Sequence, residues 1–137
     1  MLRLVPILAI LLLAMLTGCS SSVTDHYETL QEAVEDSLFE RGWLPNILPP
    51  SARRITTSND LDINSSRGEF YFNTHDLGEF VSRLESYYPL RGAPPDVSSL
   101  VRKRQSSGYH AYLYWGDQKT WLFVCHPEKG HCEYRMW

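Results

Sequence analysis

Residues 109–137 read YHAYLYWGDQKTWLFVCHPEKGHCEYRMW, and this stretch decides the fold. Three runs, YHAYLYW, TWLFVCH and HCEYRMW, are rich in aromatic and β-branched residues at the period of two that marks β-strands. The connectors GDQK and PEKG have the length of tight hairpin loops. The middle run is apolar on both of its faces, as a central strand covered on each side would be. A three-stranded antiparallel meander is therefore expected at the C-terminus.

Inside it, CHPEKGHC (125–132) gathers the most reactive side chains of the C-terminal half. If PEKG is a four-residue loop, His126 faces His131 and Cys125 faces Cys132. Opposite Cβ atoms on paired strands lie about 4.5–5.5 Å apart. A disulfide needs roughly 3.5–4.5 Å, so the closer type of strand pair is required. A Cys125–Cys132 disulfide is the expected outcome, with Trp121, Phe123, Tyr134 and Met136 sharing its face. The alternative is a zinc or copper site on Cys125, His126, His131 and Cys132, whose ligand types suit both metals. Strand alternation opposes it, because both cysteines then point one way and both histidines the other.

Upstream, ARRITTSND and GEFYFN alternate and are expected to pair as a hairpin, strand one running from about Arg53 to Asn59. The intervening Asp60-Leu61-Asp62-Ile63-Asn64 spaces its oxygen ligands like the opening of an EF-hand. Ser65 stands where that loop requires glycine and Tyr71 where it requires glutamate. Asx-type turn chemistry accounts for the same residues. Two helices are expected. The first, TLQEAVEDSLFERG, has Thr29 and Glu32 spaced as a capping box, an apolar stripe of Leu30, Val34 and Leu38, and Gly42 at its end. The second, NTHDLGEFVSRLESYY, carries Leu77, Phe80, Val81, Leu84 and Tyr88 at helical spacing, with His75 at its entrance. Gly78 within it suggests a close packing contact. Between the first helix and the hairpin, the proline-rich WLPNILPP predicts an apolar strap over the core. LRGAPPDVSS is expected to be a loop. The fold expected is α+β: an antiparallel sheet, N-terminal hairpin plus C-terminal meander, packed against two helices.

The N-terminus has a different character. Arg3 precedes an apolar run from Leu4 to Leu16 and then Thr17-Gly18-Cys19, the layout of a secretory signal. Thirteen residues make a helix of about 20 Å at 1.5 Å per residue, short of a bilayer core of about 30 Å. LTGC resembles the lipobox of bacterial lipoproteins. The resemblance implies cleavage before Cys19 and lipid attachment to its thiol, so residues 1–18 form the signal and 19–26 a lipidated cysteine with a polar tether. Residues 27–137 are then one α+β domain. Ser20 after the cysteine, rather than aspartate, favours the outer membrane over the inner. Without the leader the chain has 12 basic and 16 acidic residues, since only Arg3 is lost from 13, giving a net charge of −4. No basic patch stands out, RKR at 102–104 being short, and nucleic acid is not an expected partner.

ERGWLPNILPPSARRI, followed by DLDIN and GEFYF, is similar to the YbbD head domain found in uncharacterised bacterial lipoproteins and membrane-associated proteins. The usual threonine after DLD is Ile63 here. The resemblance spans roughly residues 26–72 and brings no reaction or catalytic residue with it. No nucleophile elbow, zincin motif or phosphate loop occurs in the sequence. A non-enzymatic lipoprotein is expected, without cofactor or metal, anchored by Cys19 on the periplasmic face and binding an envelope protein or cell-wall component. The second reading is a metal- or ligand-handling periplasmic protein using the Cys125–Cys132 hairpin or the Asp60–Asn64 loop.

Overall fold

The computed structural model describes residues 21–137; the leader and Cys19 lie outside the described residues. The chain runs β1 (Ser22–Thr29), α1 (Leu30–Glu35), β2 (Arg53–Asp60), β3 (Ser65–Tyr71), a 3-10 turn (Thr74–Asp76), α2 (Leu77–Ser82), β4 (Glu85–Ser86), α3 (Pro95–Gln105), β5 (His110–Gly116), β6 (Lys119–His126) and β7 (His131–Met136). All seven strands join one antiparallel sheet in the order β1-β2-β3-β7-β6-β5-β4.

The C-terminal meander forms as its pattern requires. Asp117 and Gln118, at φ 49° and 62°, make the two-residue turn between β5 and β6, a conformation whose twist matches the flanking strands. Cys125 pairs with Cys132 and His126 with His131 across β6 and β7. Trp121, Phe123, Tyr134 and Met136 share the disulfide's face, and none is more than 2% exposed. The N-terminal hairpin also forms, as β2 and β3, with a shorter loop than its polar residues suggest. What no local pattern announces is that β3 pairs with β7, from Ser66 opposite Met136 to Tyr71 opposite His131. That pairing fuses hairpin and meander into one sheet.

Five expectations are corrected. Residues 22–26, expected as tether, belong to β1, which pairs along β2 from Ser22 opposite Asp60 to Thr29 opposite Arg53. The first helix stops after six residues. Thr29 does cap it, its Oγ1 accepting the Glu32 N–H at 3.2 Å, but Ser37 adopts φ 57° and turns the chain. Leu38 is thereby buried, whereas Val34 is left 46% exposed. The second helix shortens to α2 after a 3-10 turn, because Glu85 and Ser86 leave it to pair with β5. Gly78 touches nothing: a Cβ there would meet no atom within 4 Å. Finally, the proline-rich loop ends sooner than expected, since α3 begins at Pro95, where a missing N–H costs nothing.

Helices and strap cover the sheet unequally. On one face, Phe70, Phe80 and Phe123 pack edge to face with centroids 5.3–6.3 Å apart, a favoured aromatic geometry. The strap lies over them as expected, with Leu44 and Leu48 buried and the Trp43 carbonyl accepting the Trp121 indole N–H at 3.1 Å. The Tyr27 hydroxyl donates to Asp36 at 2.6 Å and accepts from Arg41 at 3.2 Å, tying β1 to the turn after α1. Burial, then that bond to Asp36, pushes the Tyr27 phenol up from its usual 10 to about 12. On the other face, α3 lays Val97 and Val101 over Tyr109, Ala111, Leu113, Leu122 and Val124. Its apolar side lies over β5 and β6 and its charged flank reaches β7, so the β2–β3 half of that face stays polar and open.

Candidate functional site

The open half of the sheet and the flank of α3 enclose a groove of about 560 Å³, with Thr56, Ser58, Arg67 and Glu69 on its sheet side and Leu100 and Arg104 on its helix side. A smaller hollow of about 180 Å³ shares Ser58, Arg67 and Arg135 with it and reaches the β2–β3 turn at Ile63.

The floor carries an electrostatic conflict. Register places Arg67 directly opposite Arg135, and Glu69 directly opposite Glu133. Like charges facing each other across a strand pair repel. Helix α3 relieves part of this. Arg104 grips Glu133 with two nitrogens, its Nε donating at 2.8 Å and a terminal nitrogen closing the fork, and such a fork is stronger than a single contact. The Glu133 bond holds the Arg104 guanidinium above its usual pKa. At the other end of the helix, Asp96 accepts from Arg135 Nε at 2.9 Å. That bond holds the Asp96 carboxyl below its usual range, and the Arg67 charge lowers it further.

Glu69 is balanced differently. His131 Nε2 lies 2.8 Å from its carboxylate and Nδ1 lies 2.9 Å from the Tyr109 hydroxyl. A carboxylate only accepts, so Nε2 carries the proton and, in the neutral ring, Tyr109 donates to Nδ1. Arg104 sits over the Tyr109 ring at 5.5 Å, and burial raises the Tyr109 phenol pKa. Three of the four facing charges thus have a partner: Glu133, Arg135 and Glu69. Among the described residues Arg67 forms no ion pair, and it is exposed beside a second guanidinium. The groove therefore offers a guanidinium with no bonded carboxylate, flanked by the Ser58 hydroxyl. Chemically that suits an anionic group, a carboxylate above all.

Of the residues singled out in the sequence, His131 bonds the groove's Glu69 and Asp60 lines the smaller hollow, while the cysteines lie elsewhere. Cys125 and Cys132 are joined, Sγ to Sγ, with Cα atoms 4.1 Å apart, on the covered face of the sheet. His126 and His131 lie on the other face, both edge-on to Tyr109 but with different hydrogen-bond partners, His126 Nδ1 accepting the Glu128 and Lys129 N–H groups at 3.2 Å. Among the described residues no three histidine, cysteine or acidic side chains gather as a metal would need. Asp60 accepts the Asp62 N–H at 3.0 Å and the Ile63 N–H at 3.4 Å, the Asx turn expected of that loop. The groove residues Arg67, Asp96, Arg104, Glu133 and Arg135 were not singled out. Their one signal is the mirrored pattern Arg-x-Glu in RGE (67–69) and Glu-x-Arg in EYR (133–135), which becomes a conflict only when β3 and β7 are known to be neighbours.

The fold and groove define an α+β domain with a charged recess on a half-covered sheet. Residues 21–71, from the start of β1 to the end of β3, match the family model of the YbbD head domain. The likeness carried by GWLP, DLDIN and GEFYF thus holds over the half of the sheet that supplies Thr56, Ser58, Arg67 and Glu69. No curated protein and no solved structure matches the chain. Among the described residues, no helix is long and apolar enough to cross a membrane.

Proposed function

We propose that this chain is a lipid-anchored binding domain of the bacterial cell envelope, held by Cys19 at the periplasmic face of the outer membrane, whose groove receives a carboxylate of an envelope protein or cell-wall component. The anchor rests on the apolar leader ending in LTGC. The observation that carries the binding role is the Arg67–Arg135 rung, since Asp96 bonds Arg135 and reaches Arg67 only through its charge, leaving Arg67 without a bonded carboxylate. A partner's carboxylate at Arg67 supplies the missing charge, and the ion pairs on either side hold the recess open for it. Fixed pairs of this kind suit recognition rather than turnover, and the role is not enzymatic.

A photo-reactive amino acid at Ser58 tests this in intact cells. It should give a discrete adduct that disappears with Arg67→Glu, while the variant protein unfolds in urea at the midpoint of the parent. An adduct unchanged by Arg67→Glu, or none at all, would overturn the groove as the binding site.

A further inference from the structure

We propose that the β2–β3 turn enters the membrane interface beside the lipid anchor, so that the domain stands on the bilayer at a fixed end. The inference rests on acylation of Cys19. Leu61 and Ile63 are 57% and 72% exposed, the two most exposed large apolar side chains of the described residues. The turn holds them outward by folding its carboxylates back. Asp60 accepts backbone N–H groups of the turn, and Asp62 accepts the Ser21 hydroxyl at 2.6 Å. The Leu61 N–H also donates to the Ser21 carbonyl at 3.4 Å. The turn is therefore tied to the residue where the domain begins.

Covalent geometry does the rest. Cys19 precedes Ser21 by two residues, which span at most about 7 Å. Acyl chains on Cys19 bring the bilayer surface to within that distance of Ser21, and so next to the turn that is bonded to Ser21. Val23, 45% exposed, stands one rung further along β1, opposite Asn59. Two carboxylates and no arginine or lysine occupy residues 60–64, so the surface that receives the turn is zwitterionic rather than anionic lipid. The smaller hollow opens beside Ile63, so a domain seated this way would present the mouth of its groove close to the membrane.

The test uses the mature acylated protein in vesicles of phosphatidylcholine and phosphatidylethanolamine. With Cys19 acylated and Cys125 bonded to Cys132, Ile63→Cys carries the one reactive thiol and takes an environment-sensitive fluorophore. Gln31→Cys, in α1 just past the far end of β1 and about 25 Å away by strand rise, is the control. The probe at position 63 should shift to shorter wavelength and be quenched by lipid-borne nitroxide, while that at 31 responds only to aqueous iodide. Acylated, vesicle-bound protein in which both probes behave alike would overturn the insertion and leave the anchor standing. Absence of acyl mass on Cys19 would overturn both.

Discussion

Gly68→Ala should cost the domain about 3 kcal/mol, the upper end of overpacking losses. A Cβ at Gly68 would stand 1.9 Å from the Thr56 carbonyl oxygen and 2.9 Å from the Tyr134 ring. Neither neighbour can give way. The oxygen belongs to the β2 backbone, whose pairing with β3 sets the hairpin. The ring is held by its hydroxyl, 2.7 Å from Ser66 Oγ, which in turn donates to Asn59 at 2.6 Å, all within the core. The strand must therefore shift, at the point where β3 joins hairpin to meander. Urea unfolding followed by circular dichroism measures the loss. Gly78→Ala is the internal control, because the same methyl group meets nothing there and should raise stability by up to about 1 kcal/mol. Equal midpoints for the two variants would contradict the close approach at Gly68.

Removing the disulfide by replacing Cys125 and Cys132 with alanine should lower stability by about 2–3 kcal/mol, the chain-entropy effect of so short a loop. The residues are seven apart in sequence and both are buried, at 1% and 0% exposure. Secondary structure should survive. The β6–β7 register continues for four rungs beyond the bridge, to Trp121 opposite Met136. The turn itself is fixed independently by Gly130, which adopts φ 58° and whose carbonyl accepts the Phe72 N–H at 2.9 Å. A far-UV spectrum like the parent's with a lower urea midpoint is the expected result. Mass mapping of unreduced protein should recover one linked peptide pair. Free thiols at both positions, or no loss of stability, would contradict the role given to the bridge.

The elements legible in the sequence were those whose information is local. In β5 to β7 the alternation, the turn lengths and the cysteine spacing agree, and the bridge follows from register alone. The helices were harder because propensity was overruled nearby. Leu30 to Phe39 carries a helical stripe, yet Ser37 turns left-handed, and Leu38 is buried by the turn. Pro94 and Pro95 suggested a loop, although Pro95 followed by Asp96, with Val97, Leu100 and Val101 at helical spacing, is also a helix start. Prolines that end one segment can open the next.

Polar strands hide for a related reason. Ser22 to His26 has tether composition, but an edge strand with one partner and few buried positions needs little hydrophobicity, and only Tyr27 of β1 is buried. The groove was illegible because it is a property of pairing. Arg67 and Arg135 are 68 residues apart, and the conflict between them exists only once β3 and β7 are neighbours.

Metabolic labelling with a fatty-acid analogue tests the proposed anchor most directly. The wild-type chain should carry the label, with mature protein beginning at Cys19, and Cys19→Ala should carry none and keep its leader. Label retained by Cys19→Ala, or a wild-type chain without label, would contradict the assignment of this domain to the membrane surface.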